Sequence, residues 1–274
     1  MTYAKKSLGQ NFLRSKGALR AIVEAGKVVK GETVLEIGPG RGALTEFLLA
    51  SGARVIAIEK DDSLIPFLEN KFAKEIASKR LKLIHGDVLE MGAKKILRRS
   101  DLQSGLEVGP PSYKLIANIP YYITGIVIRK FLEEKIQPQM MVLLLQKEVA
   151  ERIVARDGKE SLLSIAVKSY CNPKYIMKVK RDAFSPTPNV DSAIVAFENV
   201  SKKFFTENKI SEEEFFTLVC TGFAHKRKKL SGNLKDIREK LNPEIFDQIK
   251  DKRAEEIPLL LWQKLWEIPR GRNS

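Results

Sequence analysis

From Val34 to Thr45 the chain reads Val-Leu-Glu-Ile-Gly-Pro-Gly-Arg-Gly-Ala-Leu-Thr. The apolar, partly β-branched beginning of this stretch is typical of a buried parallel strand. The alternating glycines predict a turn with positive φ angles, and the apolar residues after it recur at helical spacing. A strand, a glycine turn and a helix open a Rossmann-like βαβ unit. We therefore expect an α/β fold with a mostly parallel sheet and helices on both of its faces.

The residue before the glycines narrows the choice of ligand. Glu36 gives the pattern E-x-G-x-G-x-G, which differs from the dinucleotide fingerprint G-x-G-x-x-G. A carboxylate here would repel a pyrophosphate, but it would tolerate the cationic amino-acid end of S-adenosylmethionine. We predict that Gly38 and Gly40 let this cofactor lie against their backbone, next to the free N–H groups of the helix start. A tight turn without any ligand is the alternative.

Acidic residues end the next two predicted strands. The run Arg54 to Ile58 leads into Glu59, and Leu81 to Ile84 is soon followed by Asp87. In open α/β sheets ligands bind at the carboxyl ends of the strands, so Glu59 is expected to accept the ribose hydroxyls and Asp87 the adenine amino group. Each carboxylate could instead cap the helix that follows it.

A second motif follows the predicted fourth strand and reads Asn118-Ile119-Pro120-Tyr121. The exocyclic amine of a base is a weak nucleophile, so it should be held with its lone pair aimed at the methyl group. The amide oxygen of Asn118 and the carbonyl of Ile119 can accept its N–H groups, Pro120 stiffens the turn, and Tyr121 offers a ring for stacking. This chemistry depends on positioning and needs no strong base. An ordinary exit from a strand is the alternative.

The stretch from Phe184 to Ser192 contains two prolines and predicts a stiff loop, on which Phe184 could close the other side of a flipped base. This loop separates two predicted strands, 175–179 and 193–197, while 140–145 is predicted to be the central strand. After residue 199 the pattern changes to helices rich in Glu and Lys. We predict a methyltransferase-like domain over residues 1–199 and a small all-α domain over residues 200–274, with a surface insertion at 98–112.

The chain has 274 residues and a net charge of +14, with a sequence pI of about 9.6, which indicates a polyanionic partner. The basic run Lys226-Arg227-Lys228-Lys229 is predicted to contact RNA phosphates, with a solvated helix face as the alternative. Two separated cysteines fit a reducing compartment, and the absence of a long apolar run predicts a cytoplasmic protein that does not enter a membrane. Two isolated histidines and two isolated cysteines do not predict a metal site.

Taken together, four motifs resemble the ribosomal RNA adenine-N6 dimethyltransferase family: Gly9 to Leu13, Glu36 to Gly42, Asn118 to Tyr121, and Phe184 to Ser192. They span most of the chain and occur in the family's order. The segment 223–235, and Tyr122-Ile123-Thr124 after the second motif, are more similar to the KsgA-type branch than to the Erm-type branch. One departure is Ser231-Gly232-Asn233, where the branch usually has a pair of asparagines.

The resemblance implies a class I methyltransferase sheet and an S-adenosylmethionine site formed by Asn11, Leu13, Gly38, Glu59, Asp87 and Asn118. It also implies dimethylation of the N6 amines of two adjacent adenines in a 3′-terminal hairpin loop of small-subunit (16S) ribosomal RNA. The partner would be the small ribosomal subunit, and we expect a monomer with a role in subunit biogenesis. The rivals are an Erm-type enzyme of the large subunit, a ribosome-assembly RNA-binding protein without catalysis, and a nicotinamide oxidoreductase.

Overall fold

A computed structural model describes residues 5, 8–97 and 112–266. Almost all of the predicted insertion at 98–112 lies outside the described residues. The chain divides into two compact units. The first consists of Met1–Ala150 and Lys174–Val200, and the second of Glu151–Pro173 and Ser201–Ser274.

A seven-stranded sheet forms the centre of the first unit. Its strands are β2 (Thr33–Ile37), β3 (Arg54–Glu59), β4 (Leu81–His85), β5 (Lys114–Asn118), β6 (Met140–Gln146), β7 (Asn172–Val179) and β9 (Ser192–Glu198). Their order across the sheet is β4-β3-β2-β5-β6-β9-β7. The first five strands in this order are parallel, and β9 runs antiparallel to β6. The predicted mostly parallel sheet is confirmed. The run 140–145, predicted as its central strand, forms the buried interior strand β6, next to β5 in the middle of the order.

The central strands are buried on both faces. Every residue of β2 is buried, including the successive residues Val34 and Leu35, whose side chains point to opposite faces of the sheet. Such a strand needs a covering layer on each side, which explains its continuous apolar sequence. Helices α1 (Lys16–Ala25) and α2 (Ala43–Ala50) contribute Leu19, Ile22 and Leu48 to the core.

The remaining helices of the first unit follow the strands in the usual alternation. They are α3 (Ile65–Lys71), α4 (Ala73–Ala77), α5 (Ala93–Ile96) and α6 (Thr124–Glu133), and α7 (Lys147–Val154) begins in this unit. Ser15 accepts a hydrogen bond from the N–H of Ala18 and so caps α1.

A separate two-stranded ladder joins distant parts of the first unit. Strand β1 (Phe12–Leu13) pairs antiparallel with β8 (Phe184–Ser185), so that Phe12 faces Ser185 and Leu13 faces Phe184. The backbone N–H of Arg14 extends this pairing with a hydrogen bond of 2.8 Å to the carbonyl of Ala183. The N-terminal segment is thereby fixed to the proline-rich loop.

The second unit is helical in its described residues. Its helices are α8 (Leu162–Lys168), α9 (Lys203–Asn208), α10 (Glu212–Phe223), α11 (Leu230–Asn233), α12 (Pro243–Ile249) and α13 (Leu259–Trp266). Helix α10 lies against α8, α11 and α13. Its capping box, formed by Ser211 and Glu214, begins the helix. Trp262 is fully buried beneath Gly222, where a side chain would collide with the indole ring.

The division of the chain differs from the single boundary predicted at residue 199. Residues Glu151–Pro173 belong to the second unit together with the C-terminal helices. The reason is packing, because α8 lies against α10 and the Tyr170 hydroxyl donates a hydrogen bond to Glu212. The Tyr170 ring also stacks on Phe216, at 6.0 Å between ring centroids. These contacts join segments far apart in sequence, which residue periodicity does not reveal.

Candidate active site

A cavity of about 440 Å³ opens at the carboxyl ends of the parallel strands. The turns after β2, β3, β4 and β5 all contribute to its wall, as expected for a ligand site in an open α/β sheet. Ten of the predicted site residues line it: Asn11, Leu13, Gly38, Gly40, Glu59, Asp87, Asn118, Ile119, Pro120 and Tyr121. The predicted cofactor residues and the second motif therefore share one cavity.

The glycine turn has the backbone that its sequence predicts. Gly38 and Gly40 have φ angles of +65° and +59°, in the left-handed region that disfavours other residues. A side chain on Gly38 would meet no atom within 4 Å, so this backbone faces open space. A Cβ at Gly40 would lie 2.9 Å from the ring of Phe12. The turn is therefore open at Gly38 and closed by an aromatic ring at Gly40.

Glu59 is a buried carboxylate that organises the turn. Its Oε2 accepts the N–H of Gly40 at 3.0 Å, and its Oε1 accepts the N–H of Asp61 at 2.8 Å. Burial raises the pKa of the Glu59 carboxyl, and the two backbone hydrogen bonds oppose that rise. A carboxylate has about four acceptor positions, so each oxygen can accept another donor.

Asp87 has partners of two kinds. Its Oδ1 accepts the N–H of Leu89 at 2.9 Å, so it does cap the segment that follows. Its Oδ2 accepts a hydrogen bond of 2.7 Å from Lys60 Nζ. Burial opposes ionisation of Asp87, but the contacts with Lys60 and Leu89 outweigh it and lower the pKa of the carboxyl. Lys60 also lines the cavity. No sequence pattern indicates this pair, because the two residues end different strands.

Burial of Glu36 disfavours the charge on which its predicted role depends. Its side chain is 1% exposed, and Oε2 accepts a hydrogen bond of 2.7 Å from the hydroxyl of Thr45. Burial raises its pKa to about 8. Since the carboxyl is then mostly protonated at neutral pH, it supplies little negative charge to repel a pyrophosphate or attract a cation. The role visible here is to join β2 to α2.

The second motif forms a tight exit from β5. Asn118 is the last residue of that strand, Pro120 follows with φ −55° and ψ 136°, and residues Tyr121–Ile123 form one turn of 3₁₀ helix. The Asn118 amide donates to the carbonyl of Asn11 at 3.3 Å. Its amide orientation is therefore fixed by the N-terminal segment.

That N-terminal segment lies along the cavity. Gln10 Nε2 donates to Asp61 Oδ2 at 2.7 Å, and Lys5 Nζ lies 2.6 Å from Asp61 Oδ1. Burial opposes ionisation of Asp61, but its hydrogen bonds to Lys5, Ser63 and Gln10 keep its pKa well below the ordinary value. The resemblance predicted a role for this segment that its composition did not, although the attachment to Asp61 was missed.

Phe184 departs from its predicted position. Its side chain is 3% exposed and belongs to the hydrophobic core, whereas the cavity lining does not include it. The pairing of β8 with β1 explains this placement, because Phe184 faces Leu13 across the ladder. To stack on a base in the cavity, the Phe184 ring would have to turn out of the core.

The predicted RNA-contacting residues lie in the second unit, and Lys226, Arg227, Lys228 and Lys229 are all exposed. Lys229 Nζ forms an ion pair with Asp251 at 2.9 Å. Asn233, the one asparagine in Ser231-Gly232-Asn233, donates to the carbonyls of Gly222 at 2.6 Å and His225 at 3.2 Å. It thereby holds the beginning of the basic run.

Metal-binding groups and membrane-spanning helices are both absent from the part of the chain that the structure describes. No group of three or more His, Cys, Asp or Glu side chains there could hold a metal ion. No helix in the same residues is long and apolar enough to span a membrane.

The strand order, the antiparallel β9 and the cavity beyond the glycine turn define a Rossmann-like methyltransferase. The solved structure of the 23S rRNA methyltransferase ErmE has the same fold, with a TM-score of 0.74 and 22% identity over 94% of this chain and 98% of that one. A dimethyladenosine transferase from Plasmodium falciparum also has a TM-score of 0.74, with 26% identity over 93% of this chain and 95% of that one.

The sequence profile described as ribosomal RNA adenine dimethylase matches residues 1–265. This chain therefore belongs to the ribosomal RNA adenine dimethylase family, whose members are S-adenosylmethionine-dependent methyltransferases. It is 41% identical over 268 residues to ribosomal RNA small subunit methyltransferase A of Dehalococcoides mccartyi strain CBDB1, covering 96% of this chain and 87% of that protein. It is 36% identical to the protein of the same name from Fusobacterium nucleatum, over 98% of each chain.

Proposed function

We propose that this protein transfers methyl groups from S-adenosylmethionine to the N6 amines of two adjacent adenines in a 3′-terminal hairpin loop of small-subunit ribosomal RNA. One observation carries the proposal. The Asn118–Tyr121 turn and the Gly38–Glu59 region line the same cavity, so that a base amine and a methyl donor can meet within it.

The donor would occupy the part of the cavity next to the glycine turn. Gly38 leaves room for a ligand against its backbone, and the carboxylate of Glu59 can accept ribose hydroxyls in addition to its backbone partners. Asp87 would accept the adenine amino group. Asn11, Leu13, Gly40 and Asn118 complete the proposed donor site, and S-adenosylmethionine supplies the activated methyl group when it is bound.

Catalysis would rest on the position of the target amine. The Asn118 amide oxygen and the Ile119 carbonyl would accept the two N–H groups, which aims the nitrogen lone pair at the methyl carbon. The nitrogen forms a bond to carbon as the bond from carbon to sulfur breaks. The resulting ammonium is acidic and loses its extra proton to solvent, so the enzyme needs no strong base.

The base would reach this site out of its stack. Extrusion is easiest in a hairpin loop, where pairing is already absent. Tyr121 would stack on the extruded adenine, and Phe184 is the proposed second face if its ring leaves the core. Lys226, Arg227, Lys228 and Lys229 would contact RNA phosphates from the second unit. The net charge of +14 supports a polyanionic partner.

The choice of subunit rests on sequence. The small-subunit enzymes named above are 36–41% identical to this chain, whereas the likeness to ErmE at 22% identity concerns the fold alone. A binding protein without catalysis would not need the Asn118–Tyr121 turn in the wall of a ligand cavity. We further propose that the enzyme acts as a monomer in the cytoplasm, where its two free cysteines, Cys171 and Cys220, would stay reduced.

The test uses purified small and large subunits from cells that lack this modification. Each is incubated with the protein and a donor labelled in its methyl group, and the RNA is then digested to nucleosides. Label in N6,N6-dimethyladenosine from the small subunit supports the proposal. Label confined to the large subunit would assign the protein to the Erm-type reaction, and absence of label from both would leave a binding role.

A further inference from the structure

Ser192 and Tyr121 form a hydrogen bond that neither motif predicts alone. The Tyr121 hydroxyl and the Ser192 Oγ are 2.7 Å apart. Tyr121 belongs to the turn after β5, and Ser192 is the first residue of β9. The bond therefore joins the catalytic motif to the far end of the Phe184–Ser192 motif, whose serine has no role in the mechanism described above.

Ser192 is a rigid partner. Its side chain is fully buried, at 0% exposure, and its residue pairs with Gln146 in the ladder between β9 and β6. The preceding Asp191 is held by three contacts: Lys178 Nζ at 2.8 Å, the N–H of Arg181 at 3.0 Å, and the N–H of Lys147 on its carbonyl at 3.0 Å. The hydroxyl of Ser192 is therefore presented from a fixed backbone.

Tyr121 is the less buried partner of this bond. It lies on a short 3₁₀ turn, is only partly buried, and lines the cavity. A tyrosine side chain has two torsion angles, and its hydroxyl lies on the axis of the second, so a hydrogen bond there fixes the position of the far end of the ring and restricts the first angle. Burial raises the pKa of the Tyr121 phenol, which keeps the hydroxyl protonated and able to take part in this bond at neutral pH.

We infer that Ser192 is a positioning residue, whose hydroxyl holds the far end of the Tyr121 ring in the position at which the target base stacks on the ring. The inference rests on the proposed function, because it takes Tyr121 as the stacking partner of the base. A misplaced ring would leave the target amine out of line with the methyl group while the donor still binds, so the loss should fall on the transfer step.

The first measurement compares single-turnover methyl transfer by the wild type, Ser192→Ala, Tyr121→Phe and the double variant. We expect each single variant to slow transfer about tenfold, because the loss of one hydrogen bond changes a rate by about that factor. The affinity for the donor should stay within about twofold of the wild type. The double variant should be no slower than either single variant, because both changes remove the same bond. Ser169→Ala is the matched control: Ser169 is 1% exposed and donates a 2.8 Å hydrogen bond to Ala166, far from Tyr121 in sequence.

The second measurement separates positioning from simple stability. Removing both hydroxyls leaves no buried group without a partner, so the double variant should regain most of the thermal stability that Ser192→Ala loses. A positioning role requires that its transfer rate stays low. If the rate recovers together with the melting temperature, or if Ser192→Ala transfers at the wild-type rate, the inference is wrong. A wild-type protein that transfers no methyl group would instead overturn the proposed function itself.

Discussion

The carboxylate of Glu59 accepts the backbone N–H of Gly40, with 3.0 Å between Oε2 and the nitrogen. This bond connects the end of β3 to the glycine turn after β2, and it is buried. Glu59 thus shapes the turn in addition to its proposed contact with the ribose of the donor. A substitution at this position removes both effects, and the choice of variant can separate them.

Glu59→Ala should weaken S-adenosylmethionine binding about ten- to a hundredfold, through the loss of one or two charge-assisted hydrogen bonds. Glu59→Gln keeps one oxygen that can accept the Gly40 N–H but loses the acceptor for the Asp61 N–H, so it should disturb the turn less than Glu59→Ala while weakening the ribose contacts. Titration calorimetry on both variants measures the affinities. Equal affinity of Glu59→Ala and wild type, or a preference for NAD, would contradict the assignment of the donor site.

Asn118→Ala should affect chemistry far more than binding. The proposed role of its amide oxygen is to orient the target amine, so we expect single-turnover transfer to fall by about a hundredfold or more, as for other groups that act in the transition state. Donor and RNA affinity should change less than about fivefold. Calorimetry measures the affinities, and rapid-quench assays measure the rate of methyl transfer. A transfer rate near that of the wild type would rule out the mechanism.

The local parts of the fold could be predicted from the sequence because they depend on local patterns. The glycine turn needs positive φ angles, and the strands from β2 to β6 show as short apolar runs. The cavity residues at the strand ends could then be predicted from the strands, because the carboxyl ends of parallel strands meet at one edge of a sheet. Family resemblance added Asn11 and Leu13, for which no local pattern of the sequence predicts a role.

Contacts between distant segments could not be predicted in the same way. The pairing of Lys60 with Asp87 and the bond between Tyr121 and Ser192 depend on how strands are arranged in the sheet. The core position of Phe184 depends on a ladder of two residues, which is too short to leave a periodic signal. Burial of a carboxyl group is likewise a property of the folded structure, so the rise in the pKa of Glu36 could not be predicted from the sequence.

The basic run can be tested by charge reversal with a balanced control. Lys226, Arg227 and Lys228 changed together to Glu should weaken RNA binding and reduce its log-log salt slope by about 0.7 to 0.9 for each phosphate that is no longer neutralised. Lys229 already pairs with Asp251, so its reversal should add less. The control reverses three exposed lysines elsewhere, Lys74, Lys94 and Lys203, with the same change in net charge. Filter binding across a salt series measures both slopes. The slope of the control should stay steeper than that of the variant with the reversed basic run. Equal slopes would mean that the basic run is only a solvated surface.

Glu36 provides a prediction about stability and pH. Burial raises its pKa from an ordinary value of 4.5 to about 8. Between these values the folded protein holds a proton that the unfolded chain has released, so a rise in pH favours unfolding. The stabilising protonated state is fully present below pH 4.5 and is lost as the pH approaches 8. The contribution of Glu36 to the free energy of unfolding should fall by up to about 1.4 kcal/mol per pH unit between these two pKa values.

Glu36→Gln should remove that contribution, because an amide can keep a hydrogen bond with Thr45 but does not titrate in this range. The difference in unfolding free energy between the variant and the wild type should therefore grow in favour of the variant from about pH 5 to about pH 8, by up to about 3.5 kcal/mol. Urea unfolding at half-unit pH steps measures this difference. Glu46→Gln, which makes the same change at a half-exposed carboxyl on the following helix, is the control for the chemical change itself. A constant difference between Glu36→Gln and the wild type would mean that Glu36 is ionised in the folded protein, and its predicted repulsion of a pyrophosphate would then regain a physical basis.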